Sequence, residues 1–285
     1  MERFCARLEA GEVWGTLKRH LLAAVVASST ASGCFLALDT TGLSGGGPST
    51  GDERQEPSAE AGTDSNAALD AAPTPMIAQD TFSRTTTDEL GRAEIGGAWS
   101  TTGASTAFAV SGGEARIQLD DDSTRTARLT GVTTDDADVQ LVITTDKVTN
   151  GTAYLGVVGR AIGDDEYRCR LVIEDGAARA TLTRRESGDT LTHLATSSPL
   201  FPVTAGEPMR IRCSATGTAP TVLRMKLWRA ALAEPDGWTL TASDATRSFQ
   251  SNGAVGVHLY MSGASNGAMV VSLDDLFVRP ASLMP

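Results

Sequence analysis

The chain has 285 residues, of which 41% are hydrophobic and 5% aromatic, and its formal net charge is −11. That length suits one large domain or two small ones, with a core built mainly from Val, Leu, Ile and Ala. The acidic balance excludes a general nucleic-acid binder, which needs a basic surface to displace phosphate counterions, and it excludes broad adhesion to anionic lipid.

Residues 1–34 read as an export signal. Lys18, Arg19 and His20 form a basic cluster, Leu21 to Ala27 is an apolar run, and small residues from Ser28 lead to Cys34. Basic, then apolar, then small is the order of a secretory signal. Ala31-Ser32-Gly33-Cys34 resembles the lipobox of bacterial lipoproteins, in which the cysteine becomes the first residue and carries the lipid. That resemblance implies an exported protein, lipid-anchored at Cys34 to the bacterial membrane or cell surface. Two readings compete with it: cleavage without lipidation, and retention of Leu21 to Leu38 as a membrane span.

Residues 35–77 follow as a linker. Gly, Pro, Ser, Ala and acidic residues dominate, so the segment cannot bury enough apolar surface to offset its ordering entropy. It reads as a disordered tether. Within it, Gly42-Leu43-Ser44-Gly45-Gly46 matches the hydrolase pattern G-x-S-x-G, but without the strand before and helix after that the pattern requires.

Residues 78–285 form the folded part, and period-two alternation recurs along them. Val139, Leu141 and Ile143 alternate with Gln140 and Thr144, and Tyr167, Cys169, Leu171 and Ile173 with Arg168 and Arg170. Met209, Ile211 and Cys213, then Leu223, Met225 and Leu227, then Val255, Val257 and Leu259 repeat the pattern. Turn pairs such as Gly163-Asp164, Asp175-Gly176 and Asn252-Gly253 separate the runs. The sequence predicts an all-β domain of more than ten antiparallel strands in two stacked sheets, each with one buried face.

Four cysteines are present, Cys5, Cys34, Cys169 and Cys213, and none lies in a Cys-x-x-Cys pair, so a structural zinc site is excluded. Cys169 and Cys213 share the inward register. In an oxidising compartment they can form a disulfide; two buried free thiols are the alternative.

The order of several segments resembles a known group. Asp80 to Arg84, Gly96-Gly97-Ala98-Trp99, Phe108 to Gly113, Val158-Gly159-Arg160, Glu166-Tyr167-Arg168, Leu223 to Trp228 and Asp274-Asp275-Leu276 follow one another as in laminin-G-like or concanavalin A-like jelly-roll modules. The resemblance covers Ala78 to Pro280. It implies a two-sheet antiparallel jelly-roll sandwich whose first strand, around Phe82, pairs with its last, Leu273 to Val278. The group contains lectins, carbohydrate-binding modules, glycosidases, lyases and adhesion modules, so fold does not settle function.

Candidate sites follow from the wet register. Arg168, Arg170, Arg210, Arg212, Arg224, Lys226 and Trp228 all face outward, and if their strands are neighbours they make a basic stripe with an aromatic platform for an acidic glycan. The alternatives are a solvated face of charge pairs and a Trp228 that packs under the following loop. Asp80, Asp274 and Asp275, near the first and last strands, are candidates for a structural calcium. Whether the chain is an enzyme stays open, with little in favour. No Glu-x-Asp-x-x-Glu strand is present, and Arg168, His258 and Tyr260, the residue types of a lyase, have no lyase spacing. The reading that results is a non-catalytic extracellular binding module for a glycan or another polymer. An adhesion domain and a divergent hydrolase or lyase are the alternatives.

Overall fold

The computed structural model describes residues 75–281. The signal segment, Cys34 and residues 35–74 of the linker lie outside the described residues. Within them, seventeen strands form two antiparallel sheets stacked as the expected sandwich.

The first sheet runs from one edge as β15 (Leu240–Asp244), β14 (Thr221–Arg229), β13 (Met209–Thr216), β7 (Asp136–Thr145), β17 (Met269–Arg279), β5 (Glu114–Leu119), β4 (Phe108–Ser111) and β2 (Thr86–Thr87), with β1 (Ala78–Asp80) also on β17. The second runs as β11 (Leu191–Thr196), β10 (Ala177–Arg185), β9 (Asp165–Glu174), β8 (Ala153–Ile162), β16 (Gly253–Met261), β6 (Ser123–Thr134) and β3 (Trp99–Thr102), with β12 (Phe201–Pro202) on β10.

The core lies between the sheets and is supplied by the alternation read from the sequence. Val139, Leu141 and Ile143 of β7, Ile211 of β13 and Leu223 and Met225 of β14 come from the first sheet. Leu155 and Val157 of β8, Leu171 of β9 and Val257 and Leu259 of β16 meet them from the second. Burying one such side chain fully stabilises the fold by roughly 1.5–3 kcal/mol. Cys169 of β9 and Cys213 of β13 are joined by a disulfide across this core, with Cα atoms 5.7 Å apart. Gly159 of β8 makes room for it, since a Cβ there would come within 3.1 Å of Cys213 Sγ.

β1 pairs with the last strand, Ala78 opposite Val278 and Asp80 opposite Leu276. Phe82 falls just past β1 instead of within it, at φ +52°. The buried carboxylate of Asp80 holds this corner. Its Oδ1 accepts the Phe82 amide at 2.9 Å, the Arg84 guanidinium binds both oxygens at 2.7 and 2.8 Å, and Trp99 Nε1 donates to Oδ2 at 2.6 Å.

The disulfide closes a loop spanning 44 positions, which by chain entropy is worth about 4 kcal/mol. Urea unfolding of the Cys169→Ala/Cys213→Ala protein should show a loss of that order. A loss below about 1 kcal/mol would mean that the cross-link adds little to what the core already holds.

Candidate functional site

The six outward cations and Trp228 do not share a face. Arg168 and Arg170 lie on β9 of the second sheet, whereas Arg210, Arg212, Arg224, Lys226 and Trp228 lie on β13 and β14 of the first. The expected single stripe is therefore two faces on opposite sides of the sandwich. Identical outward register cannot reveal which sheet a strand joins.

On the first sheet three of the four cations pair with the chain's own carboxylates, and the Arg224 guanidinium lies 6.0 Å from the Trp238 ring. Arg212 binds Asp138 at 2.9 Å and Glu234 at 2.6 Å, Lys226 binds Glu234 at 2.8 Å, and Arg210 binds Asp275 at 3.1 Å. The Trp238 ring lies 5.2 Å from the Arg212 guanidinium and 5.1 Å from Lys226 Nζ. The loop between β14 and β15 thus covers this face with its own carboxylate and aromatic ring. Trp228 is only 6% exposed and offers no platform.

The calcium candidates are not gathered either. Both oxygens of Asp80 are taken by Arg84 and Trp99, Asp275 pairs with Arg210, and Asp274 accepts the Asp275 amide at 2.7 Å. Among the described residues no group of three or more His, Cys, Asp or Glu could hold a metal ion.

The second sheet carries a groove of about 880 Å³ on its outer face. Register explains its contents. One row across the strands reads Thr102, Thr126, His258, Gly156, Arg170, Thr181, from β3 through β6, β16, β8 and β9 to β10. A second row reads Ser100, Arg128, Gly256, Val158, Arg168, Thr183. Beyond the first row, Tyr260 stands opposite both Thr124 and Tyr154. In β6, Thr124, Thr126, Arg128 and Thr130 all line the groove, because every second residue faces it.

Gly156 shapes the floor. It lies between His258 and Arg170, and a Cβ there would stand 2.9 Å from Arg170 Cγ. The missing side chain lets the Arg170 stem lie across the sheet. Its guanidinium rests 4.9 Å from the Tyr154 ring, which stacks on Tyr260 with centroids 5.8 Å apart. Tyr260 donates its hydroxyl to Asp122 Oδ1 at 2.9 Å.

Charge is unevenly satisfied. Glu166, 1% exposed, accepts from Arg128 through one oxygen and from Arg168 through the other. Burial works to raise its carboxyl, but Arg168 and then Arg128 outweigh burial and hold it below the usual range. Both oxygens are taken and the acid stays ionised, so Glu166 offers neither a proton nor a free nucleophile. Arg185 pairs with Asp189. Arg170 has no carboxylate. Only 4% exposed, it leaves Nε and Nη2 without a hydrogen-bond partner among the described residues, as do Thr181 Oγ1 opposite it and His258 Nδ1 across Gly156. Burial, and next the Arg168 charge, push the Arg170 pKa down to about 10. The same two causes push His258 down to about 3.

Arg168 and Arg170 are thus the two sequence candidates that reach this groove, and His258 and Tyr260 join them. Arg128 and Glu166 line it too, and Gly156 and Tyr154 adjoin it through Arg170 and Tyr260. Of these, Arg128 had a signal, since the polar alternation Thr124, Thr126, Arg128, Thr130 marks a wet face. Tyr154 and Gly156 become meaningful only through the pairing of β8 with β9 and β16.

No family model matches the chain, and no curated protein matches it in sequence. Among solved structures it is similar to a carbohydrate-binding module from Bacillus subtilis, at 15% identity over 64% of this chain and 94% of that one, with a TM-score of 0.45. It is also similar to LamAcat from Zobellia galactanivorans, at 10% identity over 72% of this chain and 97% of that one, TM-score 0.48. An alginate lyase aligns at 8% identity over 72% of this chain and 97% of that one, TM-score 0.43.

His258 gives the groove a measurable pH signature. The unfolded chain takes up this proton near pH 6.5 and the folded chain near 3, so between those values the unfolded state binds more protons. Stability should fall as pH is lowered through that window. Urea titrations from pH 7 to 4 should show a shallower fall for His258→Gln than for the unsubstituted protein. Equal slopes would mean that His258 titrates normally.

Proposed function

We propose that the groove on the second sheet binds an acidic saccharide without transforming it, and that the protein is an exported glycan-binding module. The observation that carries this reading is Arg170: a largely buried guanidinium that lines the groove with no ion-pair partner among the described residues, beside a stacked tyrosine pair. A buried unpaired charge is costly unless something completes its hydrogen bonds. A carboxylate or sulfate does so with charge-assisted bonds. Tyr260, which lines the groove with its ring stacked on Tyr154, offers an aromatic surface for a sugar, and the Ser and Thr hydroxyls of β3 and β6 suit sugar hydroxyls. The volume lies within the range of small-ligand clefts. Export and lipid attachment at Cys34 complete the proposal and rest on the basic-apolar-small order of residues 18–34.

One observation favours a second reading. His258, uncharged at neutral pH with Nδ1 unpartnered, lies on the same face as Arg170 and next to Tyr260. β-Elimination requires a guanidinium to neutralise the uronate, a base to take the proton beside its carboxylate and an acid to protonate the departing glycosidic oxygen, and Arg170, His258 and Tyr260 would stand in those roles. Incubation with uronate polymers, followed by ultraviolet absorbance of the unsaturated product, separates the two. Product formation that His258→Gln abolishes would establish the lyase.

The binding reading is tested by calorimetry with acidic oligosaccharides. Arg170→Ala should weaken binding by roughly 10- to 100-fold, as loss of a charge-assisted bond implies. Arg224→Ala, on the other sheet, should leave it unchanged. Equal affinity in the Arg170→Ala protein would remove the reading.

A further inference from the structure

We infer that His193 is a further anion contact of this groove, and that it makes the binding of an acidic saccharide tighten as the pH falls through the imidazole range. This inference rests on the reading of the groove as an acidic-saccharide site and adds the regulation of that site by pH.

Register places the residue. β11 is the edge strand of the second sheet, and in its pairing with β10 His193 stands opposite Thr183. Thr183 stands opposite Arg168, so the second row across the strands continues past Thr183 and ends on His193. The register then shifts by one residue, and Leu194 and Ala195 both pack against the core. His193 stays on the outer face, with Leu191 two positions before it lining the groove. Two strand spacings put it about 10 Å across the sheet from Arg168. Its ring is exposed and makes no hydrogen bond or ion pair with the described residues.

The charges that face it favour an anion. From β9 come Arg168, whose cluster with Arg128 and Glu166 keeps one positive charge, and Arg170, which has no ion-pair partner among the described residues. From β10, Arg185 is paired with Asp189, Arg179 with Glu174, and Arg184 with Glu186 and with Asp244 of β15. Asp164, in the turn before β9, lies four positions from Arg168. β11 has no other charged residue. In the empty groove burial, and next the Arg170 charge, hold the His193 imidazole below its ordinary pKa. An anion seated on Arg170 offsets that charge, so binding draws a proton onto His193. A site that takes up a proton on binding holds its ligand more tightly at lower pH, and the gain is lost as the pH rises past the imidazole range.

No other side chain of the groove titrates where His193 does. The chain has three histidines: His20 lies outside the described residues, and burial keeps His258 neutral down to about 3. Carboxylates, tyrosines and guanidinium groups ordinarily titrate outside the range from about pH 5 to 7.5, and a uronate or sulfate ligand stays ionised across it.

Calorimetry on the purified full chain tests this with two probes, a galacturonate oligosaccharide and a sulfated galactan oligosaccharide, at about pH 7.5 and 5. The probe that binds should do so roughly two- to fivefold more tightly at the lower pH, the scale of an exposed charge contact. Titrations in buffers of different ionisation enthalpy should show proton uptake on binding. His193→Gln should abolish both effects, and His193→Lys, charged at both pH values, should bind with an affinity that no longer depends on pH. An affinity of the unsubstituted protein that does not change with pH, or a pH dependence that survives in His193→Gln, would overturn the inference and leave the acidic-saccharide site standing. No binding of either probe at either pH, or binding that Arg170→Ala leaves untouched, would overturn both.

Discussion

The carboxylate of Glu166, buried between Arg128 and Arg168, decides what the outer face of the second sheet can do. Without it, three guanidinium groups on β6 and β9 would stand close together in a poorly hydrated groove. With it, two of them share one carboxylate in a hydrogen-bonded unit that spans the strands between β6 and β9 and keeps one positive charge instead of two. Removing one partner from such a cluster leaves an uncompensated buried charge, which is far more costly than the cluster's own desolvation. One carboxylate thereby serves as a structural clamp across the sheet and leaves Arg170 outside the clamp.

Backbone spacing does the rest. Gly156 stands between His258 and Arg170 on neighbouring strands, and its missing Cβ is what allows the arginine stem to lie flat and bring its head group to Tyr154. Directly behind this face, Cys169 points inward between Arg168 and Arg170 and is tied to Cys213 of the opposite sheet. The strand that carries both arginines is therefore held from its inner side. A binding residue mounted on a tied strand loses little conformational entropy when a ligand arrives, and this preorganisation is where affinity is gained.

Some of this was legible before any coordinates. Strict alternation in Val139 to Ile143 and in Leu223 to Leu227 tells which side chains enter the core, because a period of two leaves no other choice. It also places Cys169 and Cys213 inside. Strand neighbours are another matter. Arg168 and Arg212 carry the same outward register, yet one lies on each sheet, and no local pattern distinguishes them. Glu166 shows only its near neighbour Arg168 along the chain, because its second partner, Arg128, is 38 positions away. Asp80 resembles a metal ligand for a similar reason: an acidic residue near paired chain ends fits calcium as well as it fits Arg84 and Trp99, and only the contacts tell the two apart.

The pairing of β1 with β17 has a mechanical consequence. A pull on the chain before Ala78 enters the domain through three residues lying antiparallel to β17, so their hydrogen bonds peel in turn instead of shearing together. The next obstacle is the knot of Asp80, Arg84 and Trp99, where several bonds converge on one buried carboxylate. β1 belongs to the first sheet and the groove to the second. Load arriving from that direction therefore enters the sandwich at a fastening on the sheet that does not carry the groove.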